Sequence, residues 1–454
     1  MTTRVAGLRP AFPSLREATA VWARIGLLSF GGPAGQIALM HRELVEERRW
    51  ISESRFLHAL NFCMLLPGPE AQQLATYVGW LMHGWRGGLI AGALFVLPGF
   101  VVILALSATY AVFHEVSWLA SLFFGLKAAV LAIVVEAMLR VGRRALHNRV
   151  LVGLAVAAFV ALFAFNLPFP VVVLAAGVIG YVGARLSPAT FVAPPRKPGA
   201  DDAPAVIDDL PAAQPSLARG ALTFVVGAAL WLLPLAVIVP LYGTSNVFTS
   251  LWLFFSQMAV VTFGGAYAVL AYVAQEAVQG FGWLQPGEMV DGLALAETTP
   301  GPLVLVLSFV GFLAAFRAPL GMDPLLAGAL GGALTVWVTF VPCFLWIFLG
   351  APYVERLRSN AALSGALTAI TASVVGVIFN LALWFALHVL FREVATITFG
   401  PLHLTAPVWP TLDPVAFALS VVAALALLRF HLGIVPTLLL AGLLGLAAGF
   451  LGFA

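Results

Sequence analysis

At 454 residues, 61% hydrophobic and 9% charged, with a mean hydropathy of +1.01, the chain cannot form a water-soluble globule; such proteins carry roughly a quarter charged residues. Its formal net charge is only +3 despite a pI near 9.1, so the basic balance points to loops that orient a membrane protein and not to nucleic acid. The two cysteines, Cys63 and Cys343, sit in apolar runs and read as buried thiols, not as a disulfide or metal pair.

Apolar segments are predicted at 15–40, 56–84, 87–113, 117–140, 150–167, 169–187, 219–241, 248–273, 289–316, 324–350, 361–391, 411–430 and 432–453. The fold class is therefore an all-α polytopic membrane protein with up to 13 membrane segments. No signal peptide is expected, because the first fourteen residues lack an apolar centre. One interruption differs in kind: residues 187–218 are rich in Pro, Ala and Asp and read as a flexible cytoplasmic linker. It separates an N-terminal membrane repeat, 1–186, from an extra transmembrane helix, 219–241, and a C-terminal membrane repeat, 242–454.

The two halves repeat. A shift of 233 places Phe30-Gly31-Gly32 on Phe263-Gly264-Gly265, Glu43 on Glu276, Trp50 on Trp283, and Pro67-Gly68-Pro69 on Pro300-Gly301-Pro302. From Phe30 to Pro69, 11 of 40 pairs are identical, where roughly 3 are expected from the composition. Farther on, Pro98 corresponds to Pro342 after an insertion.

The four arginines of RVGRRALHNR, Arg140 to Arg149, mark a cytoplasmic loop. Counting crossings from there leaves the N-terminus cytoplasmic and one extra span between the repeats. The copies are thus inverted, an arrangement that with interrupted helices marks a secondary transporter. The segment His41 to His58 holds four arginines and its mate, Ala274 to Gly292, none. Full crossings would put those arginines outside, whereas re-entrant hairpins bending at Phe-Gly-Gly and Pro-Gly-Pro keep them inside; the second scheme is preferred.

Proline lacks a helix N–H and clashes with the preceding turn, so Pro-Gly-Pro should break a helix. A half-helix beginning inside the membrane presents free N–H groups and about half a positive charge, an anion site made without a full buried charge. The candidate anion-binding positions are Gly31 and Gly32 at one break, Pro67, Gly68 and Pro69 at another, then Gly264 and Gly265, and Pro300, Gly301 and Pro302. Four half-helix ends from two inverted copies could meet at one tetrahedral oxyanion.

The stretches FGGPAGQIALMHRELVEERRWISESRF and LLPGPEAQQLATYVGWLMHGWRGG, with the second copy FGGAYAVLAYVAQEAVQGFGWLQPGEMVDGLALAETTPGPLVL, resemble the chromate ion transporter family in its long two-domain form. The resemblance covers roughly residues 15–185 and 245–454. It implies a multi-pass protein of the bacterial inner membrane that exports chromate and confers resistance, with sulfate as the look-alike ion. Chromium is named by the resemblance alone.

Ionisable residues within membrane segments are functional candidates. Lys127 lies mid-segment and could counter a dianion or face an acidic partner; Arg24 lies about nine residues into its segment and offers bidentate oxyanion contacts. Glu70 follows the first Pro-Gly-Pro, where it caps a dipole or carries a proton, and Glu297 precedes the second. Asn61 and Gln72 could hydrogen-bond an oxyanion. Glu136 should pair with Arg140, Glu46 and Glu47 with neighbouring arginines, and Arg86 should anchor a segment edge. Trp50 and Trp283 are expected to fix an amphipathic segment at the membrane surface.

No HExxH spacing and no P-loop occur, so neither a catalytic site, a metal, a cofactor nor ATP-driven pumping is predicted. The alternatives are a general, sulfate-like oxyanion transporter and a passive anion channel. Membrane potential, proton antiport and anion exchange are all admissible energy sources, and a homodimer is compatible with the sequence.

Overall fold

A computed structural model describes residues 12–114, 116–191, 205–206, 216–261, 263, 266–353 and 361–453. The protein is an all-α polytopic membrane protein, and six helices among the described residues are long and apolar enough to cross a bilayer. Apolar side chains lie exposed along these helices, as hydrocarbon solvent allows.

Two short hairpins open the first copy. Helix α1 (Leu15–Leu28) is broken at Ser29 to Gly31, and α2 (Gly32–His41) follows, ending in a π-helical turn, Arg42–Glu47. Helix α3 (Glu53–Cys63) is broken by Pro-Gly-Pro before α4 (Glu70–Phe113). At 14, 10 and 11 residues, α1, α2 and α3 are only about 15–21 Å long, against a hydrocarbon core of about 30 Å. Inside α4, His83 and Gly84 leave helical geometry, with φ +61° at Gly84, so a short arm to residue 82 folds back along a long arm from 85. Glycines allow that: a Cβ on Gly79 would stand 2.5 Å from the Gly87 carbonyl oxygen.

These segments double back at their breaks. Phe62 of α3 meets Tyr77 of the short arm with ring centroids 5.1 Å apart, so the chain doubles back around Pro-Gly-Pro. His83, at the outer end of that arm, hydrogen-bonds the Pro13 carbonyl just before α1 at 2.9 Å. Both hairpins therefore open to one end of the bundle. The same end carries the arginine loop, because the long arm crosses once and α5 (Ser117–Ala145) returns, with Tyr110 against Phe123. It is called the arginine face below. Helices α6 (Arg149–Phe163) and α7 (Phe169–Leu186) then run out and back; of the two, α7 is long and apolar enough to cross a bilayer.

The linker is not wholly loose. A short helix α8 (Pro188–Phe191) buries Phe191 against Gly183, and Val206 donates to the Arg49 carbonyl at 3.3 Å. Residues 192–204 and 207–215 lie outside the described residues. Where the extra span is expected lies α9 (Leu217–Tyr242), a helix long and apolar enough to cross a bilayer and without a buried residue. It delivers the second copy to the opposite face.

From that face α10 (Val247–Val261) and α11 (Ala266–Gln275) form one hairpin, with Phe254 against Tyr272, and a π-helical turn, Glu276–Gly280, follows. It matches the π-helical turn of the first copy. Helices α12 (Pro286–Thr298) and α13 (Val306–Arg317) form the other. Arg317 at the end of α13 donates to Glu288 at the start of α12 at 2.5 and 3.0 Å, closing that hairpin's base. Helix α14 (Pro324–Gly350) is the counterpart of the long arm of α4. Helices α15 (Ala361–Leu390), α16 (Pro414–Ala424) and α17 (Ile434–Phe450) repeat α5 to α7. The copies interlock: α5 packs on α17, where a Gly125 Cβ would stand 2.0 Å from the Ala441 oxygen, and α15 packs on α6 and α7.

Two features depart from expectation. Trp50 and Trp283 are 3% and 8% exposed, so they are packing residues and not surface anchors; Trp283 stacks on Phe281 at 4.1 Å inside the hairpin. Between α15 and α16 an unforeseen antiparallel ribbon, β1 (Val394–Phe399) and β2 (Leu402–Pro407), docks through His403 N–H on the Ala164 carbonyl at 2.8 Å.

Candidate functional site

The breaks of the two copies meet. Gly301 N–H donates to the Ser29 carbonyl at 2.8 Å, and Gln36 Nε2 donates to the Gly301 carbonyl at 2.5 Å. Each Pro-Gly-Pro is seated on the other copy's long helix. A Cβ on Gly99, next to Pro98 in α4, would lie 2.0 Å from the Pro300 oxygen; one on Gly68 would lie 2.7 Å from Sγ of Cys343, next to Pro342 in α14. Gly68 and Gly301 have φ of +126° and +89°, which L side chains rarely adopt.

Between the breaks lies a cavity of about 10 Å³, room for about one water. The start of every half-helix lines it: Pro33 and Gln36 from α2, Pro69, Glu70 and Ala71 from α4, Ala266 from α11, and Pro302, Leu303 and Val304 leading into α13. The first N–H groups of a helix have no intrahelical partner. At about half an elementary charge per N-terminus, four ends amount to about +2, the charge that matches a dianion. The lining holds no Lys or Arg, so its positive field comes from helix dipoles and not from full charges.

Several buried polar atoms have no hydrogen-bond partner among the described residues: Gln36 Oε1, Gln72 Oε1, Gln73 Oε1 and Glu297 Oε2. Each of these side chains is tied by its other polar atom. Gln73 Nε2 donates to the Pro67 carbonyl at 2.7 Å, Gln72 Nε2 to Thr76 Oγ1 at 3.0 Å, and Tyr267 Oη to Glu297 Oε1 at 2.7 Å. Tyr267, the second residue of α11, thereby links two breaks of the second copy.

Of the residues singled out by sequence, Pro69, Glu70 and Pro302 line the cavity. Gly31 and Gly32 open α2, Gly32 lying near Tyr267 Oη, while Pro67, Gly68, Pro300 and Gly301 form the adjacent turns. Gly264 and Gly265 lie outside the described residues. The remaining three sit elsewhere. Asn61 is on an exposed face of α3. Arg24 is half-exposed and faces the buried Glu43 at 3.4 Å; Arg48 binds the other oxygen of that carboxylate. Lys127 Nζ pairs with Asp291 Oδ2 at 3.3 Å, and Tyr110 Oη donates to the same oxygen at 2.9 Å. Glu136 pairs with Arg140 and Glu47 with Arg42 as expected, and an exposed Arg86 lies over the Trp85 ring, but Glu46 pairs with His41 at 3.0 Å and not with an arginine. Both cysteines are free and buried.

Sequence reasoning missed Gln36, Tyr267, Asp291 and Gly99. The seats at Pro98 and Pro342 were visible as repeat mates, but not as the floor under the breaks.

The profile of the chromate transporter family matches residues 16–181 and 249–446, both copies in full sequence order. The chain belongs to that family. Among its relatives, a chromate transport protein of Pseudomonas aeruginosa is 33% identical over 365 residues, covering 78% of this chain and 77% of that one. A probable chromate transport protein of Synechococcus elongatus is 28% identical over 82% of this chain and 84% of its own. The chromate transport protein of Cupriavidus metallidurans is 29% identical over 80% and 81%. No solved structure matches. Within a chromate transporter, the meeting of four half-helix ends is the place where an oxyanion dipole site can form.

Proposed function

We propose that this protein is a secondary active transporter that exports chromate across the bacterial inner membrane and so confers resistance. The dianion is held near the midplane by Gly31 and Gly32, by Pro67, Gly68, Pro69 and Glu70, and by Pro300, Gly301 and Pro302. The observation that carries the reading is the single cavity onto which all four half-helix starts converge. Placing the arginine face in the cytoplasm follows the positive-inside tendency; α1 to α4 then open inward and α10 to α13 outward.

A cavity of only about 10 Å³ offers no standing pore for an ion, which favours a carrier that exposes its site to one side at a time. Transport is tested with labelled chromate in proteoliposomes, with and without excess sulfate, under an imposed potential or pH step. Uphill chromate flux that sulfate suppresses supports the reading. Flux that only dissipates a gradient identifies a channel, and no flux from folded protein removes chromate as substrate.

A further inference from the structure

Glu70 is placed where the proposed anion must sit. It is the first residue of α4, it lines the cavity, and its carboxylate has no hydrogen-bond or ion-pair partner among the described residues. Beside it, Gln36 is 1% exposed and lines the same cavity with an unpartnered Oε1, an acceptor that awaits a donor. A cavity with amide donors on its walls, one orphan acceptor and one free carboxyl is short of a single proton.

Charge leads to the same conclusion. Four N-termini at about half an elementary charge each match a dianion with little to spare. An ionised Glu70 adds a negative charge that the site does not balance, and two like charges in one low-dielectric site oppose each other. The carboxylate alone, however, is a suitable occupant of the empty site, because an acid at a helix start complements the dipole.

We propose that Glu70 is the proton-carrying residue of the carrier: ionised, it occupies the anion's place between the half-helix ends, and it takes up one proton when the oxyanion enters. This rests on the reading above that the cavity is the anion site. The step is a proton transfer only: an O–H bond forms on the Glu70 carboxylate with a proton from water, and the carboxylic acid can then donate to the anion or to Gln36. Because protonation and anion binding favour each other, linkage makes them reciprocal. Proton and oxyanion move in the same direction, with one negative charge left for the membrane potential to act on.

Few other groups can supply the proton. The charged group whose field reaches Glu70 is Arg144 on α5, and the Cys63 thiol on α3 lies within reach of the Glu70 charge. Helix α14 brings Cys343 against Gly68, and α11 and α12 bring the bonded pair Tyr267 and Glu297. From α2 and the approach to α13 come Gln36, Pro302, Leu303 and Val304, none of which titrates.

The experiment adds chromate, and separately sulfate, to purified wild-type protein in weakly buffered solution, following proton uptake with an indicator dye and anion binding by calorimetry. About one proton per bound anion is expected, with affinity rising about tenfold per unit fall in pH while Glu70 is ionised. Glu70→Gln alters the lining itself and need not keep wild-type affinity, but whatever anion it binds should be bound without proton uptake and without pH dependence. Infrared difference spectra of the wild type give a second readout that needs no variant: anion binding should produce a carboxylic-acid C=O band, shifted in Glu70→Asp. Anion binding without proton uptake or the band, or unchanged uptake in Glu70→Gln, overturns the proposal and leaves the anion site standing. No anion binding by folded wild type overturns both.

Discussion

The Gly301 amide of the second copy hydrogen-bonds the Ser29 carbonyl of the first at 2.8 Å, so the Pro-Gly-Pro turn of one repeat is completed by the Phe-Gly-Gly break of the other. A backbone donor inside a membrane must find a partner in protein or a watery cavity. Here the partner is supplied across the repeat interface, and so the breaks persist without being exposed to lipid.

Replacing Gly68 or Gly301 by Val forces an L side chain to φ of +126° or +89°, at about 1–2 kcal/mol for the backbone alone. At Gly68 the new Cβ also meets Cys343 Sγ and Gln73 Nε2, each at 2.7 Å. Both variants should insert and purify as wild type yet lose anion flux in proteoliposomes. Normal flux from both would mean that the turns do not form the site.

Gln36→Leu leaves the Gly301 carbonyl without its side-chain donor, a loss of about 1–3 kcal/mol for a buried acceptor. Anion affinity should fall about tenfold or more, because the second copy's turn is no longer held against α2. Calorimetry on Gln36→Leu and Gln36→Glu checks this. Unaltered affinity in both would assign Gln36 to packing alone.

Lys127, with its side chain 28% exposed, pairs with the buried Asp291, 5% exposed. Removing either partner strands a charge, whereas removing both need not. Lys127→Met and Asp291→Asn should each lower thermal stability, and the double variant should recover part of it, with a coupling of roughly 0.5–3 kcal/mol. Additive losses would show that the lysine answers to something other than Asp291.

Re-entry has a direct topological test. Single cysteines at Glu46 and His147 should react with an impermeant thiol reagent from one side of the membrane, and at Asp323 and Gly400 from the other. If α1, α2, α3 and the short arm of α4 crossed fully, Glu46 would label together with Gly400. The native thiols are buried and should stay silent.

Much of this architecture was legible because its signals are local. Pro-Gly-Pro and Phe-Gly-Gly declare a break wherever they stand, the shift of 233 pairs them, and counting crossings inverts the copies. The arginines at 42, 48, 49 and 55 also favoured re-entry, and Phe62 against Tyr77 shows the chain doubling back as that scheme requires. What escaped notice depends on distant partners. Asp291 is one of several acids in α12 and carries no local signal; its partners Lys127 and Tyr110 come from other helices. Lys127 and Arg24 were drawn toward the substrate because a cation within a membrane segment stands out, whereas their carboxylate partners, Asp291 and Glu43, lie on other elements. Trp50 was misjudged because aromatic residues at interfaces and in cores share one composition. The ribbon at 394–407 alternates weakly and carries no hydrophobic run, so nothing marked it.

Each Pro-Gly-Pro rests on a helix of the other repeat, Pro300 on Gly99 and Gly68 on Cys343. During synthesis the first repeat leaves the ribosome with its own turn unseated and with a vacant seat at Gly99, and it must wait for about two hundred further residues to arrive. Neither half can then reach its final shape by itself, and the order of assembly is fixed by the chain. Cutting within the linker and making the two pieces together should still yield a working protein, whereas each piece alone should be left to the membrane's quality-control proteases.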